Sequence, residues 1–494
     1  MPWLDRPHLR RMLSRKLNIL LPRKLRFRVY VLRHRQRSYG NYYSLIKRMS
    51  TGDPAAMSAS LLTDLFAAVC DANEYYREVF SRCLPSNWRD LPIEGILSRL
   101  PTLTKQHLRD HFAPLHTVGE FPRTYRNTSG GSTGQPVVLT QDANYSSWSN
   151  ATQGYYFREF LGVEMNDVKN VWLWGSERDL PSHRQGRARH RYPRVFWRNQ
   201  TLLNTFHATT DQLWLDYIDF IERHRPYYVA GYASSLYQMA KIARRHNVRL
   251  YRPQFVYSAA ETLRDFMREE IESQFNAKVF DFYGSREVGA IAGECRFNRH
   301  HVFTMNNVVE ILPHCNEPGY ATSSEGAFRP TQSTTLESQE APEGRILVTN
   351  LHNLAFPLIR YEIGDTGAMG ADPRSCPCGS RLPTLAKLTG RVSDHFVRRN
   401  GALVHGEFFT HLFYFRPWVE SFRVDQLTYD RIRVQVARSG QVDEGDVAEI
   451  TSKIRAAMDD ECNVEWLYVD KIDPSPQGKH LYTRSYVLPD PASG

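Results

Sequence analysis

Short apolar segments alternate with longer amphipathic stretches between residues 141 and 290. The apolar segments have the length of strands and are rich in β-branched and aromatic residues, whereas stretches such as 234–246 and 261–275 have helical spacing. Four strands are predicted in this region, at 171–175, 227–232, 255–260 and 278–284. A succession of strand, helix and strand predicts a parallel sheet covered by helices, in which ligands bind beyond the carboxyl ends of the strands.

The flanking regions have different patterns. Residues 58–120 have apolar positions at helical spacing, and Thr104 suits the start of a helix. Residues 315–345 are rich in Pro, Gly, Ser, Thr and Glu, which is typical of a loop. The C-terminal region combines a predicted helix at 443–459 with short strands, which is an α+β pattern. Those strands are predicted at 422–424, 432–436 and 464–469.

The net charge of +10 is concentrated at one end of the chain. Residues 1–50, the N-terminal arm, contain 14 Lys and Arg against the single acid Asp5, whereas the remaining residues contain 49 basic and 52 acidic side chains. Basic and apolar residues alternate along the arm, so it either lies on an anionic membrane or docks on the protein with its charges in solvent. Nucleic acid is not an expected partner, because the sequence contains no recognised nucleic-acid-binding module.

The remaining bulk features bound the class of protein. No segment approaches the ~18 to 20 uninterrupted apolar residues of a membrane-spanning helix. The first residues lack the apolar core of a signal peptide, so a cytoplasmic location is expected. Seven cysteines in 494 residues do not form a disulfide framework, which favours reduced thiols or a metal site.

A run of glycines and hydroxyl residues from Thr128 to Gly134 ends abruptly at the apolar segment 137–139. Its three glycines allow tight turns that present successive N–H groups, and its hydroxyls add donors, as a phosphate-binding loop requires. The same composition is typical of a flexible linker. The run is not the common nucleoside-triphosphatase loop, because Gly134 is followed by Gln-Pro and a strand instead of Lys, Ser or Thr and a helix.

The run resembles the phosphate-binding signature of the adenylate-forming superfamily, which includes acyl-CoA synthetases, peptide-synthetase adenylation domains and luciferases. Four later stretches resemble the superfamily's other motifs and occur in its order. They are Tyr283-Gly284-Ser285-Arg286-Glu287, Arg360-Tyr361-Glu362-Ile363-Gly364-Asp365, Gly390-Arg391-Val392-Ser393-Asp394 and Gly478-Lys479. The resemblance runs from about residue 100 to about residue 485 and does not include the N-terminal arm.

The resemblance implies roles for individual residues. Tyr283 would lie near adenine, Glu287 would coordinate magnesium, and Asp365 would accept hydrogen bonds from the ribose hydroxyls. Lys479 would bridge the incoming carboxylate and the α-phosphate. Arg286 departs from the usual hydroxyl residue, and it would pair with a phosphate, with the substrate carboxylate or only with Glu287. The residues expected to bind the nucleotide are Thr128, Ser129, Gly130, Gly131, Ser132, Thr133, Gly134, Ala260, Glu261, Tyr283, Gly284, Ser285, Asp365 and Arg391.

A second set of residues suits a metal. Cys295 and His301 follow the Glu287 motif, and Cys376-Pro377-Cys378-Gly379 precedes the motif at Gly390. Three cysteines and one histidine form an accepted structural zinc set, although Cys-x-Cys is less diagnostic than Cys-x-x-Cys. The arrangement resembles the phenylacetate-CoA ligase branch of the superfamily, including its capsular-polysaccharide relatives, in which some members carry zinc. Structural zinc is therefore one expectation, free buried thiols are the other, and His300 is an alternative ligand to His301.

The resemblance implies an α/β fold with a large N-terminal domain of helix-covered sheets and a small, mobile α+β C-terminal domain, as in acyl-CoA synthetases. The large domain would cover residues 51–390, and the C-terminal lid would cover 391–494. Rotation of the lid about 391–394 would withdraw Lys479 after adenylation and admit the acceptor.

The implied reaction joins a carboxylic acid to AMP, with ATP and magnesium as cofactors and pyrophosphate as the leaving group. Coenzyme A is the default acceptor in this branch, and an amine or a hydroxyl group is the alternative. Aromatic residues at a strand end favour an aryl acid. The expected acyl pocket consists of Tyr228, Gly231, Tyr232 and Ser235.

An alternative interpretation is that the protein is not an active ligase but a catalytically weakened, nucleotide-binding scaffold. Arg286 and Ser393 support it because they depart from the motifs of the superfamily. The presence of Lys479, Glu287 and Asp365 opposes it. The sequence therefore favours an enzyme.

Overall fold

A computed structural model describes the chain at 39–121, 123–128, 137–174, 199–205, 211–313, 342–370, 376–391, 395–399, 403–405, 409, 412–413, 416–472 and 482–487. These residues form two compact units. The first unit comprises the described parts of 1–52, 143–283 and 293–298, and the second comprises those of 53–142, 284–292 and 299–494. The units are interleaved along the chain, whereas the sequence predicted consecutive domains. The predicted boundary between 390 and 391 stays a prediction.

The helices are α1 (Tyr39–Thr51), α2 (Pro54–Ala72), α3 (Glu74–Cys83), α4 (Ile93–Leu97), α5 (Lys105–Asp110), α6 (Ala143–Glu159), α7 (Asp211–His224), α8 (Ala233–Arg245), α9 (Asp265–Phe275) and α10 (Glu444–Met458). The strands up to residue 302 are β1 (Tyr125–Thr128), β2 (Val138–Gln141), β3 (Asn170–Trp174), β4 (Gln200–Asn204), β5 (Tyr228–Gly231), β6 (Phe255–Ala259), β7 (Val279–Ser285), β8 (Gly289–Glu294) and β9 (His300–Val302). The later strands are β10 (Asn307–Pro313), β11 (Gly344–Asn350), β12 (Tyr361–Met369), β13 (Thr384–Arg391), β14 (His395–Val397), β15 (Leu403–His405), β16 (Val419–Thr428), β17 (Arg431–Arg438), β18 (Asn463–Val469) and β19 (Thr483–Ser485).

The first unit is built on a parallel sheet in which the strand order is β4-β3-β5-β6-β7. Helix α8 packs against β3, β5 and β6, and Gln153 of α6 donates a hydrogen bond to the hydroxyl of Tyr257 in β6 at 3.3 Å. Tyr156, Phe157 and Tyr228 are fully buried in the same aromatic core. The predicted α/β fold is therefore confirmed, with β4 as a strand that the hydrophobic pattern did not predict.

The described end of the N-terminal arm is a helix docked on the first unit. Tyr42 of α1 donates a hydrogen bond to Asn144 of α6 at 3.1 Å, and Lys47 of α1 forms an ion pair with Glu159 at 3.0 Å. Burial is the largest of the effects that raise the pKa of Tyr43 to about 12, and a hydrogen bond to Glu159 adds to it. Residues 39–51 are therefore docked on the protein, which is one of the two alternatives predicted for the arm. The predicted membrane contact of residues 1–38 lies outside the described residues.

The second unit contains helices, a hairpin and antiparallel strands. The side chain of Asp53 caps α2, and Thr104 caps α5 in a reciprocal capping box with His107, as the helix start predicted at Thr104 requires. Strands β1 and β2 form the hairpin, and β10, β11, β12 and β13 are successive antiparallel neighbours. This antiparallel part of the fold carries several of the predicted nucleotide residues.

The C-terminal residues of this unit form a four-stranded sheet in the order β18-β17-β16-β19, with α10 beside it. Alternate residues of β16 and β17, including Val424, Val434 and Val436, are fully buried against Ile450 and Ile454 of α10. The predicted strands and helix of this region are confirmed, and the hydrophobic cluster spans 396–462.

Among the described residues, α2 is the one helix that is long and apolar enough to cross a membrane by length and composition. One such helix is weak support for a membrane span, because core helices of soluble proteins have the same composition. Leu62, Leu65, Phe66 and Val69 of α2 are buried in the protein.

Candidate active site

The predicted phosphate loop connects the two strands of a hairpin. Thr128 at the end of β1 pairs with Val138 at the start of β2, so the loop between them leaves and re-enters the hairpin at adjacent positions. The backbone N–H of Thr128 donates to Oδ1 of Asn127 at 2.9 Å. The predicted residues Ser129, Gly130, Gly131, Ser132, Thr133 and Gly134 lie outside the described residues.

The predicted magnesium ligand lies on a turn between two strands. Gly284 and Ser285 end β7, residues 286–288 form the turn, and Glu287 is only 7% exposed. Gln141 of β2 donates from Nε2 to the carbonyl oxygen of Arg286 at 2.7 Å and to that of Glu287 at 3.2 Å. The turn is therefore hydrogen-bonded to the hairpin that carries the predicted phosphate loop.

Two other predicted residues lie side by side in the sheet of the second unit. Asp365 of β12 pairs directly with Arg391 of β13, and the register shifts immediately after this pair. Gly364 has φ 88°, a left-handed conformation that favours glycine, so the Gly-Asp sequence places the bulge next to the carboxylate. The structure thus brings the predicted ribose residue and the first residue of the predicted hinge together.

Arg360, in the same motif, holds the backbone that precedes Asp365. Its Nε donates to Oε2 of Glu310 at 3.2 Å, and its guanidinium also bonds the carbonyl of Leu100. Burial raises the pKa of Glu310, and the charge of Arg360 opposes that rise. Arg360 is 9% exposed and has a φ of 51°. Its hydrogen bonds to Glu310 and Leu100 therefore stabilise this segment of the second unit.

Three of the four residues predicted for the acyl pocket lie at the carboxyl end of β5. Gly231 ends the strand, and the Tyr232 ring stacks on Trp174 with 4.3 Å between ring centroids. Ser235 donates from Oγ to Thr205 Oγ1 at 3.0 Å. Trp174 ends β3, and Thr205 follows β4. The hydrophobic pattern did not indicate that either residue lies beside the predicted acyl pocket. A Cβ at Gly231 would lie 2.8 Å from the carbonyl oxygen of Leu173, so only glycine fits.

Tyr228 lies elsewhere in the first unit. It begins β5 and is fully buried, its hydroxyl donates to the carbonyl of Met165 at 3.3 Å, and its ring stacks on Phe255. The strand rises about 3.3 Å per residue, so Tyr228 is about 10 Å from the strand end that carries Tyr232. The structure therefore does not bring Tyr228 together with the other predicted pocket residues.

Ala260 and Glu261 follow the carboxyl end of β6, as predicted. Ala260 has φ 69°, which is uncommon for a residue with a Cβ and marks the sharp turn at which the strand stops. Tyr283, near the end of β7, is 9% exposed. Strand ends of a parallel sheet are the usual location of ligand-binding residues.

Three of the predicted metal ligands, His301, Cys376 and Cys378, cluster closely within the second unit. Cys378 Sγ is 3.3 Å from Cys376 Sγ and 3.2 Å from His301 Nε2. Tetrahedral zinc with ligands at about 2.0 to 2.3 Å places its ligand atoms about 3.3 to 3.8 Å apart, so these three atoms are close to the spacing that one ion requires.

The surroundings of these ligands suit zinc as well. Burial lowers the pKa of His301, and its Nδ1 is 3.1 Å from the carbonyl oxygen of Leu382, which can only accept a hydrogen bond. The hydrogen is therefore on Nδ1, and the lone pair of Nε2 faces the cluster. The N–H of Ser380 donates to Cys378 Sγ at 3.4 Å, and the N–H of Phe297 donates to Cys295 Sγ at 3.4 Å. Such donors stabilise thiolates.

Not every predicted residue falls in the described part of the chain. Lys479 lies outside the described residues, as do Ser393 and Asp394 of the hinge motif. The backbone of Arg391 is described within β13, and its side chain is not.

Comparisons with known proteins agree with this fold. A family model described as the CapK C-terminal domain matches residues 396–485. The chain is 24% identical over 468 residues to Protein CapK of Staphylococcus aureus, which covers 91% of this chain and 93% of that protein.

Two solved structures of 2-hydroxyisobutyryl-CoA ligase are similar in fold. One is in the postadenylation state with R3-HIB-AMP, with a TM-score of 0.62, 14% identity and coverage of 88% of this chain and 90% of that chain. The other is an open conformation with 2-HIB-AMP and CoA, with a TM-score of 0.52, 15% identity and coverage of 86% and 90%. At these identities the likeness concerns the fold alone.

Proposed function

We propose that this chain is a CapK-like member of the adenylate-forming superfamily and that it uses ATP to convert a carboxylic acid to an acyl-adenylate. The observation that carries the proposal is the hydrogen bond of 2.7 Å from Gln141 to the carbonyl of Arg286. It joins the hairpin of the proposed phosphate loop to the turn that carries Glu287. In the proposed site, the loop would hold the triphosphate and the turn would hold its metal.

In the proposed reaction, an oxygen of the acid attacks the α-phosphorus of ATP. The new P–O bond forms as the bond to pyrophosphate breaks, and negative charge develops on the transferring group. Lys479 would offset that charge, and Asp365 would fix the ribose so that the attacking oxygen stays in line. Arg286 would pair with a phosphate or with the acid carboxylate.

Magnesium is proposed as the metal of the ATP complex. Glu287 fits it because a carboxylate oxygen is the hard ligand that magnesium prefers, and because the backbone on both sides of this carboxylate is hydrogen-bonded. When bound, the ion supplies charge neutralisation on the phosphate oxygens.

Coenzyme A is proposed as the acceptor. Its thiolate would attack the acyl carbonyl, and AMP would leave with the bonding electrons. The 2-hydroxyisobutyryl-CoA ligase with a similar fold was solved in complex with 2-HIB-AMP and CoA, which supports coenzyme A as the acceptor. A structural zinc ion on Cys295, His301, Cys376 and Cys378 is part of the proposal, and it is supported by this donor set and by the short distances among His301, Cys376 and Cys378.

The test is pyrophosphate release from ATP and magnesium across a panel of aryl and alkyl acids. We expect release with at least one acid, and we expect coenzyme A to accelerate turnover and to yield a thioester identified by mass spectrometry. Amines and alcohols run in parallel identify a different acceptor. ATP binding without release for any acid would contradict the proposed activity.

The acyl pocket gives a prediction of its own. We propose that the acid contacts Tyr232 beside Trp174, so Tyr232→Ala is expected to raise the KM of the preferred aryl acid about tenfold or more and to change the order of preferred acids. Steady-state kinetics over the acid panel would measure this. Tyr228→Phe is the control, because it removes only a hydroxyl bonded to Met165 at the other end of β5. If folded Tyr232→Ala had the same order of preferred acids and the same KM values as the parent, Tyr232 would not belong to the acyl pocket.

A further inference from the structure

A chain of side-chain carboxamides runs from the start of the proposed phosphate loop to the Glu287 turn. The N–H of Thr128 donates to Asn127 Oδ1 at 2.9 Å, and Asn127 Nδ2 donates to Gln141 Oε1 at 3.0 Å. Gln141 Nε2 then donates to the carbonyls of Arg286 at 2.7 Å and Glu287 at 3.2 Å. These side chains form an unbroken hydrogen-bonded connection between two segments that are more than a hundred residues apart in sequence.

From this geometry we propose that Asn127 and Gln141 are positioning residues that couple the phosphate loop to the magnesium carboxylate. The inference rests on the proposed function, since it assigns both residues to the same ATP site. Neither residue belongs to a motif of the sequence, and neither would touch the reacting atoms. Their role would be to fix the backbone from which the binding groups project.

The contacts of Gln141 are of a kind that fixes a backbone. Its side chain has no exposure to solvent, and the two carbonyls that it binds lie on either side of the Cα of Glu287. Rotation of either peptide would leave a buried carbonyl without a donor, which is unfavourable. The direction of the Glu287 carboxylate is therefore tied to the position of β2.

Other carboxamides hold the far side of the same turn. Asn307 Nδ2 donates to the carbonyl of Ala290 at 2.6 Å and to that of Val288 at 3.2 Å, and Asn350 Nδ2 also donates to Val288 at 3.2 Å. Asn306 donates to Ala290 at 2.8 Å. All three asparagines are at most 1% exposed. The backbone from 286 to 290 is thus held from two sides, and Gln141 supplies the side that faces the hairpin.

The network also returns to the hairpin. Asn350 Oδ1 accepts from the N–H of Asn353 at 2.9 Å, and Asn353 Nδ2 donates to the carbonyl of Thr140 at 2.9 Å. Thr140 is the neighbour of Gln141 in β2, so β2 is tied to the turn both directly and through the asparagines. The amide nitrogens of these asparagines donate to backbone carbonyls and so hold that backbone in place, which is what a precisely held metal and triphosphate require.

The hydrogen-bonded connection from Thr128 through Asn127 and Gln141 to the Glu287 turn is called the relay below. It is tested with Gln141→Met, which keeps the length of the side chain and removes its hydrogen bonds, and with Asn127→Ala. We expect the magnesium concentration for half-maximal pyrophosphate release to rise about tenfold and kcat to fall at least as much, because small displacements of binding groups slow transfer strongly. The KM of the acid should stay at the parent value. Asn73→Leu is the control for the loss of a buried carboxamide, because Asn73 is fully buried, donates to Leu115 and Thr117 and caps α3 without contacting the relay. It should keep the parental magnesium dependence.

Hydrogen exchange of the same variants separates this inference from the proposed activity. In the parent, magnesium and ATP should slow exchange in both 125–141 and 284–290, and in Gln141→Met protection of one segment should no longer accompany protection of the other. A folded Gln141→Met with parental magnesium dependence, kcat and exchange would overturn the relay while the activity stands. A parent protein that releases no pyrophosphate would contradict the proposed activity. In that case, protection of both segments by ATP would still support the relay, and protection of only one segment or of neither would overturn the relay.

Discussion

Lys479→Ala is expected to lower the rate of acid-dependent pyrophosphate release about 100- to 1000-fold, the usual effect of removing one group that offsets charge in a transition state. The lysine is assigned by its Gly-Lys motif near the end of the chain, after the Gly-Arg motif at 390–391. Its proposed contact with the α-phosphate forms as charge develops there, so the loss should appear mainly in kcat. The dissociation constant of ATP should change much less.

The experiment has two internal controls. Lys471→Ala removes a nearby lysine outside the Gly-Lys motif and should keep the parental rate. Thioester formation from a chemically prepared acyl-adenylate and coenzyme A should survive in Lys479→Ala, because the lysine is proposed to act before that step. Parental pyrophosphate release by Lys479→Ala would remove the lysine from the mechanism, and equal loss in both half-reactions would indicate a structural defect.

The sequence predicted the elements that depend on local pattern. The apolar segments at 171–175, 227–232, 255–260 and 278–284 correspond to β3, β5, β6 and β7, because buried parallel strands are continuous apolar runs. Strand β4 was missed because its sequence, Gln-Thr-Leu-Leu-Asn, has only three apolar or β-branched residues between polar ends. Its pairing with β3 comes from tertiary context.

The sequence was less informative about which side chains meet. Tyr228 and Tyr232 are four residues apart and both are buried, yet Tyr228 begins β5 whereas Tyr232 follows its carboxyl end. Asn127 and Gln141 carry no signal in a pattern of hydrophobicity, since polar residues at the ends of short strands are ordinary. Their partners at 286–287 are backbone atoms, which no motif encodes.

Zinc removal is expected to have the second large effect. Protein purified without chelators should contain about one zinc ion per chain, and Cys378→Ser should lose it, because a serine hydroxyl is a poor ligand where a thiolate is required. The ion would crosslink residues that are far apart in sequence, so its loss should cost more than about 3 kcal/mol of unfolding free energy. Metal analysis and thermal unfolding with and without chelator measure both effects.

The matched control for zinc is Cys462→Ser. Cys462 is a buried cysteine, 1% exposed, in the hydrophobic cluster of the C-terminal sheet, far in sequence from the four ligands. Its replacement should cost about 1 kcal/mol for the buried hydroxyl and should leave the zinc content unchanged. The contrast matters because a buried thiol and a zinc ligand lose similar volume on substitution, and only the ligand also loses the ion. Zinc-free parent protein that unfolds at the same temperature with and without chelator would show that the four residues are free thiols and a neutral histidine held together by hydrogen bonds.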